Sequence, residues 1–168
     1  MPTFVVNPKR YDPYKNFRFQ VFFEGSSQPI AALSKVTTLK RSTNVIEYNE
    51  AGRGVTVKGL GRTKYEPITM ERGVTQDKDF IKWADTTQQM VKGEAVTSLK
   101  NLRRELRILL NNEAGQVVLG YVIHACWVSE FQALPDLDAS GNAVALEHIK
   151  IENEGWEADT SITEVAEI

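Results

Sequence analysis

His124 and Cys126 lie two residues apart. On a β-strand that spacing puts both side chains on one face, where an imidazole and a thiolate could share a zinc ion. A zinc centre needs three or four converging ligands. The second histidine, His148, has no further pair at ligand spacing near it. The favoured reading is therefore a strand histidine beside a small buried thiol. Glu147 and His148 are adjacent, so a strand would point them to opposite faces and they cannot act as a pair. Asp136 and Asp138 have the look of paired carboxylates for acid–base work. They stand in a segment bounded by Pro135 and Gly141, where Asp is favoured because it bonds its own backbone, so they read as turn residues. Residues 52–61 are glycine-rich and carry Arg53 and Lys58, but they lack the G-x-x-x-x-G-K-[ST] spacing, and no helix start follows to complete a phosphate cradle. The chain has no G-x-S-x-G elbow and no evident Ser/His/Asp set. Its three tryptophans are scattered and offer no base-stacking platform. No catalytic, cofactor-binding or metal residue is assigned, and the expectation is a protein without enzymatic activity. Two alternatives stay open: a ligand-binding β-sandwich module, for instance for glycans, and a metal-dependent enzyme using His124, Cys126 and His148.

The elements around these residues are mostly strands. Residues 1–13 carry Pro2, Pro8 and Pro13 and read as an irregular arm. Residues 16–24 alternate, with Phe17, Phe19, Val21 and Phe23 on one apolar face. Residues 30–36 form a plausible second strand after Pro29. Residues 44–49 and 55–58 flank Glu50-Ala51-Gly52-Arg53-Gly54 and predict a projecting hairpin, separated by Gly59-Leu60-Gly61 from a strand over 63–72 that Pro67 marks as an edge or a bulge. The hairpin alternates charged and apolar residues and has little that could bury both faces. The clearest helix spans 77–92, with Phe80, Trp83, Ala84, Thr87 and Val91 at helical spacing, Thr75 or Asp77 as cap, and Gly93 as stop. Residues 98–110 fit a helix or a strand. The turn signal Asn111-Asn112-Glu113-Ala114-Gly115 before a strand over 116–123 favours the strand. Residues 127–131 extend that strand past an irregularity, 134–142 form a loop, and 143–152 are a last strand carrying Val144, Leu146, Ile149 and Ile151. The acidic tail, 157–168, is expected to fray. The pattern predicts one mainly β domain of the α+β kind: a sandwich or barrel with one flanking helix and the hairpin.

Composition sets the outer bounds. At 168 residues the chain fits one domain with a core that needs no disulfide or metal. Its apolar content of 42% argues against wholesale disorder. A net charge of −2 excludes a strongly basic nucleic-acid binder. The acidic excess gathers late, from Glu147 through Glu152, Glu154, Glu157 and Asp159 to Glu164 and Glu167, while 53–72 is mildly basic. Opposite charge in different segments would let copies of the chain pair. A single cysteine allows no internal disulfide and fits a reducing compartment. Neither a secretory signal nor a membrane helix is visible, so folding in a cytoplasm is expected.

Four blocks of the chain stand in order and in register. They are Pro13-Tyr14-Lys15-Asn16-Phe17-Arg18-Phe19-Gln20-Val21, Ile46-Glu47-Tyr48-Asn49-Glu50-Ala51-Gly52, the run from Gly59-Leu60-Gly61-Arg62 through Lys64-Tyr65-Glu66-Pro67-Ile68-Thr69-Met70-Glu71-Arg72-Gly73-Val74, and Pro135-Asp136-Leu137-Asp138-Ala139 with Asn142-Ala143-Val144-Ala145-Leu146-Glu147. Their order and spacing match over residues 13–156, and together they resemble the tail-tube family of contractile phage tails and contractile injection systems. Gly59, Ala143 and His124-Ala125-Cys126-Trp127 depart from the family pattern and affect local loops. The resemblance implies a β-barrel-like subunit whose copies form hexameric rings, stacked into a tube inside a sheath. It implies further partners in sheath, baseplate or spike, and tube-terminating proteins, with cargo or DNA passing through the lumen without sequence-specific binding and no membrane anchor on the subunit. The particle would be a virion tail or an injection device. The expected contact surface is the hairpin over 44–58, with Asn44, Val45, Ile46, Glu47, Tyr48, Glu50, Arg53, Val55, Val57 and Lys58 as its assembly residues. The arm over 1–13 and the acidic tail are secondary candidates.

Overall fold

The computed structural model describes residues 4–93 and 102–168. Among the described residues, nine strands and one helix follow in the order β1 (Phe19–Phe23), β2 (Leu33–Val36), β3 (Arg41–Tyr48), β4 (Val57–Tyr65), β5 (Ile68–Gly73), α1 (Asp79–Val91), β6 (Arg104–Asn111), β7 (Val117–Gln132), β8 (Leu146–Glu152) and β9 (Gly155–Ala158). Seven of these strands make one antiparallel sheet, β1-β6-β7-β8-β5-β2, with β9 added alongside β7. β3 and β4 pair with each other as a separate two-stranded ribbon.

The long strand β7 folds the sheet over on itself. Its first half pairs with β6 and β9, its second half with β8. Between them the register slips by one residue opposite Glu105, and Ala125 takes a left-handed φ of 52°. A bulge of this kind adds twist and redirects a strand, which lets one chain segment serve both layers. The irregularity expected before Trp127 is this bulge. Because it breaks the alternation, Cys126 enters the core while His124 stays half-exposed outside.

The core lies between the layers. Val21 from β1, Leu106 from β6, Ile123, Cys126 and Val128 from β7, Ile149 and Ile151 from β8, and Ile68 and Met70 from β5 meet Phe80 and Trp83 of α1. The helix closes one side. Thr87 Oγ1 donates to the Val128 carbonyl at 3.1 Å, and Trp83 Nε1 donates to the Leu102 carbonyl at 3.3 Å. At its start Lys78 is the boundary residue and makes no side-chain cap; Asp77 Oδ1 accepts from the Asp79 N–H at 3.0 Å instead. Gly93, at φ 74°, ends it as the sequence suggests, but Val91 is exposed rather than packed.

Several sequence-based boundaries shift. Gly59-Leu60-Gly61 does not break the ribbon; it lies inside β4, so the hairpin is longer than residues 44–58 and runs from Arg41 to Tyr65. The break falls at Glu66-Pro67, where the missing proline donor separates β4 from β5. Phe17 is exposed ahead of β1, and Val144 is exposed in the loop ahead of β8. The strand expected over 98–110 is seen from Arg104 on, and residues 98–101 lie outside the described residues. Residues 1–3 of the expected arm lie outside them as well.

The tail is held rather than frayed, and it contributes a strand, β9, that periodicity did not predict. Ile162 covers Gly120 of β7 so closely that a Cβ there would sit 2.5 Å from its Cδ1. Beyond it, Glu164 accepts hydrogen bonds from the backbone N–H groups of Val5, Val6 and Asn7 at 2.8, 3.1 and 2.9 Å.

Candidate assembly interface

Cross-strand register gives the ribbon two faces. Val45 stands opposite Leu60, and Glu47 opposite Lys58, on one face; Ile46 stands opposite Gly59, and Tyr48 opposite Val57, on the other. Glu47 and Lys58 form a loose ion pair at 4.0 Å. Every residue of β3 is exposed. Val45 is 60% and Leu60 90% exposed, and Ile46, Tyr48 and Val55 are open too. An isolated two-stranded ribbon is marginal in water, and an apolar cross-strand pair left in solvent forgoes its burial energy.

The ribbon is nevertheless built with care. Thr43 and Thr63 hydroxyls share a hydrogen bond at 2.8 Å, and at the turn Thr56 Oγ1 donates to Asn49 Oδ1 at 2.9 Å. Arg53 and Glu50 meet at 3.5 Å near the tip, where Gly52 has φ 87°. A second bulge sits between the Thr43 and Val45 pairings. There a Cβ on Gly61 would lie 2.7 Å from the Asn44 carbonyl oxygen, so only glycine lets the strands approach. At the root, Arg41 lies over the Trp156 ring at 5.6 Å, and Tyr65 meets that ring edge-on at 6.0 Å. The base of the ribbon is thus fixed to β9, while its far part has no partner strand among the described residues.

The ten residues named from the sequence all lie in this one ribbon: Asn44 to Tyr48 in β3, Glu50, Arg53 and Val55 in the turn, and Val57 and Lys58 at the start of β4. Leu60 was missed. It lies on the same strand side as Lys58, two residues on, and that parity was available once Gly59 and Gly61 were read as strand residues.

The groups considered for chemistry do not converge. His124 Nδ1 lies 3.1 Å from Glu105 and its Nε2 3.0 Å from Glu157, both carboxylate oxygens. Hydrogen bonding to Glu105, partly offset by burial and aided by Glu157, raises the imidazole pKa. Cys126 points the other way, into the core, where burial pushes its thiol up to about 12. His148 faces outward against Glu71 at 3.3 Å, and Glu147 points inward, as their adjacency requires. Asp138 accepts from the Ser140 hydroxyl and N–H at 2.7 and 3.0 Å, the expected turn role. Among the described residues no cluster of three His, Cys, Asp or Glu could hold a metal ion. An open concavity of about 550 Å³ is lined by residues of the loop between β7 and β8 and contains no aromatic ring, which gives a glycan no stacking surface.

The deciding observation is a match of residues 15–157 to the family model described as T4-like virus tail tube protein gp19. The chain belongs to this tail-tube family. Its fold is similar to that of a chain of the PVC sheath–tube complex, from an extracellular contractile injection system in the extended state, which superposes with a TM-score of 0.71 at 21% identity, over 88% of this chain and 91% of that one. A chain of the anti-feeding prophage baseplate gives 0.71 at 20% identity, over 89% and 97%, and one of the anti-feeding prophage tube-terminating cap gives 0.72 at 21%, over 90% and 93%. No curated protein matches the chain in sequence. As a tail-tube protein, the chain is a structural component of a virion tail or injection particle.

Proposed function

We propose that this tail-tube protein builds the inner tube of a contractile tail or injection particle and catalyses no reaction. Six copies close into a ring, rings stack into a hollow tube, and contraction of a surrounding sheath drives the tube through a target envelope. Its partners are its own copies, the sheath, the baseplate or spike, and a tube-terminating protein. Fold neighbours drawn from a sheath–tube complex, a baseplate and a terminating cap support that set. Assembly takes place in the cytoplasm of the producing cell, and the lumen passes cargo or DNA without reading sequence. The 168 residues act as one unit with an arm, a ribbon and a tail.

The observation that carries the reading is the β3–β4 ribbon, well formed yet exposed on both faces. An arm of this kind is stable in use only when another molecule covers it. In a ring the contact between copies closes by rotation, whereas ring-on-ring stacking is open and makes a filament. The ribbon serves the stacking contact. Deleting residues 44–58 should leave a folded domain with an unchanged far-ultraviolet spectrum that no longer forms tubes in negative-stain micrographs. Long tubes from the deleted chain would remove the ribbon from this role.

A further inference from the structure

We propose that the loop between β7 and β8, residues 133–145, is the socket that receives the β3–β4 ribbon of a second copy in the next ring. The proposal rests on the reading of the ribbon as a stacking arm and supplies the surface it lands on.

Position argues for it first. β5 and β8 pair from Ile68↔Ile151 at one end to Gly73↔Leu146 at the other. The ribbon leaves at the first end: Tyr65 lies three residues before Ile68, and Asn153 Nδ2 donates to the Glu66 carbonyl at 3.2 Å. The loop lies at the second end, where the Val74 N–H donates to the Ala145 carbonyl at 3.0 Å and Gln132 pairs with His148. Five residue steps of strand, roughly 17 Å, separate the two. Two different surfaces at opposite ends of one rigid strand pair are what a head-to-tail, non-closing contact requires.

Chemistry argues for it second. The loop presents Leu134, Leu137 and Val144 to solvent, the last two at 75% and 77% exposure, although a loop of this length could have turned them inward. It is held in shape by the Asp138–Ser140 turn and by the Gly141 N–H donating to the Asp138 carbonyl at 3.0 Å. Its charged residues are Asp136 and Asp138, with no cation between 133 and 145. The ribbon presents Val45 and Leu60 with the opposite balance: Arg53 and Lys58 match Glu50 and Glu47, and Arg62 and Lys64 add two further cations. Aliphatic pairs thus meet aliphatic residues while a basic arm meets an acidic rim, an arrangement that fixes register as well as affinity.

The full chain is the material for the test. In the double variant Leu137→Asp/Val144→Asp, rings should persist while stacking weakens by roughly tenfold or more, because the substituted positions lie at the centre of the contact. Two single-cysteine variants, Leu60→Cys and Leu137→Cys, both in a Cys126→Ser background, are mixed, assembled and treated with a bismaleimide. The mixture should give a dimer band that neither variant gives alone. Tubes of normal length from the Asp double variant, together with no dimer from assembled cysteine variants, would overturn the socket while leaving the stacking arm in place. A native chain that never forms tubes would overturn the arm and the socket together.

Discussion

Arg72 and Glu147 stand opposite each other on β5 and β8, both fully enclosed, and their side chains are hydrogen-bonded within the core. The guanidinium also donates to the Asp77 carbonyl at 2.6 Å, meets the Asp77 carboxylate at 3.3 Å and lies 4.0 Å from the Phe80 ring centre. It therefore ties two strands to the start of α1. Glu147→Ala would leave that cation buried with one partner gone, so a loss of about 3–5 kcal/mol is expected in denaturant unfolding. The pair Arg72→Met/Glu147→Leu should lose far less, since replacing both ions by apolar groups of similar size is often neutral. His124 supplies a second residue-scale expectation, with the opposite pH sense from a carboxylate. Its folded pKa is raised through Glu105 and then Glu157, so its contribution is complete below the unfolded value of about 6.5 and is lost as pH rises through the folded value. Melting temperature should fall as pH rises above about 6.5 in the native chain, and that fall should be flatter in Glu105→Gln/Glu157→Gln. An unchanged slope in the variant would show that the imidazole is not the source.

Among the elements, Gly61 carries the sharpest constraint. Any side chain there would push on the Asn44 backbone at the ribbon's bulge, so Gly61→Val should splay β3 from β4 without touching the core. Tube formation should fail while the melting temperature moves little, because the ribbon buries so little within its own subunit. A fall in melting temperature as large as that of a core substitution would mean that the ribbon supports the domain. The existence of this ribbon, of α1 and of β1, β6, β7 and β8 was legible from alternation, helical spacing and turn residues. What escaped was set by tertiary pairing. Gly59 and Gly61 look like breakers in sequence, and only the partner strand makes them a requirement. Glu147 looks like a surface residue until Ile149 and Ile151 fix the inward parity of β8 and Ile68 and Met70 do the same for Arg72 on β5. β9 is four residues long and acidic, too short for periodicity to reveal. The ten residues expected to assemble fall in one ribbon, because alternation of apolar and charged residues is itself a sequence pattern; the strand position of Leu60 needed the register.

At the scale of the whole subunit, the two ends of the described chain close on each other. Glu164 gathers the N–H groups of Val5, Val6 and Asn7, Asn7 Oδ1 accepts from the Glu167 N–H at 2.9 Å, and Arg10 binds both Glu167 and Glu113 of the β6–β7 turn. Arg10 also lies between the Phe4 and Tyr14 rings at 5.3 and 4.6 Å. Arm, tail and turn are thus one clasp, held largely by carboxylates. Hydrogen bonding from Arg10 lowers the Glu113 pKa to about 2. Burial pushes the Glu164 carboxylate up, but the arm's N–H groups outweigh it and hold the pKa low. A carboxylate depressed in the folded state stabilises fully above its unfolded value, near 4.3, and loses that contribution as pH falls through the folded value. The clasp should therefore stay shut at neutral pH and open on acidification. Hydrogen exchange at Val5 to Asn7 should be slow at neutral pH, relative to an unstructured reference, and should approach that reference rate as pH falls below about 4.3 while β7 and β8 remain protected. Glu164→Ala should show the open pattern already at neutral pH. Equal protection of the arm in that variant would mean that contacts other than the carboxylate hold it down.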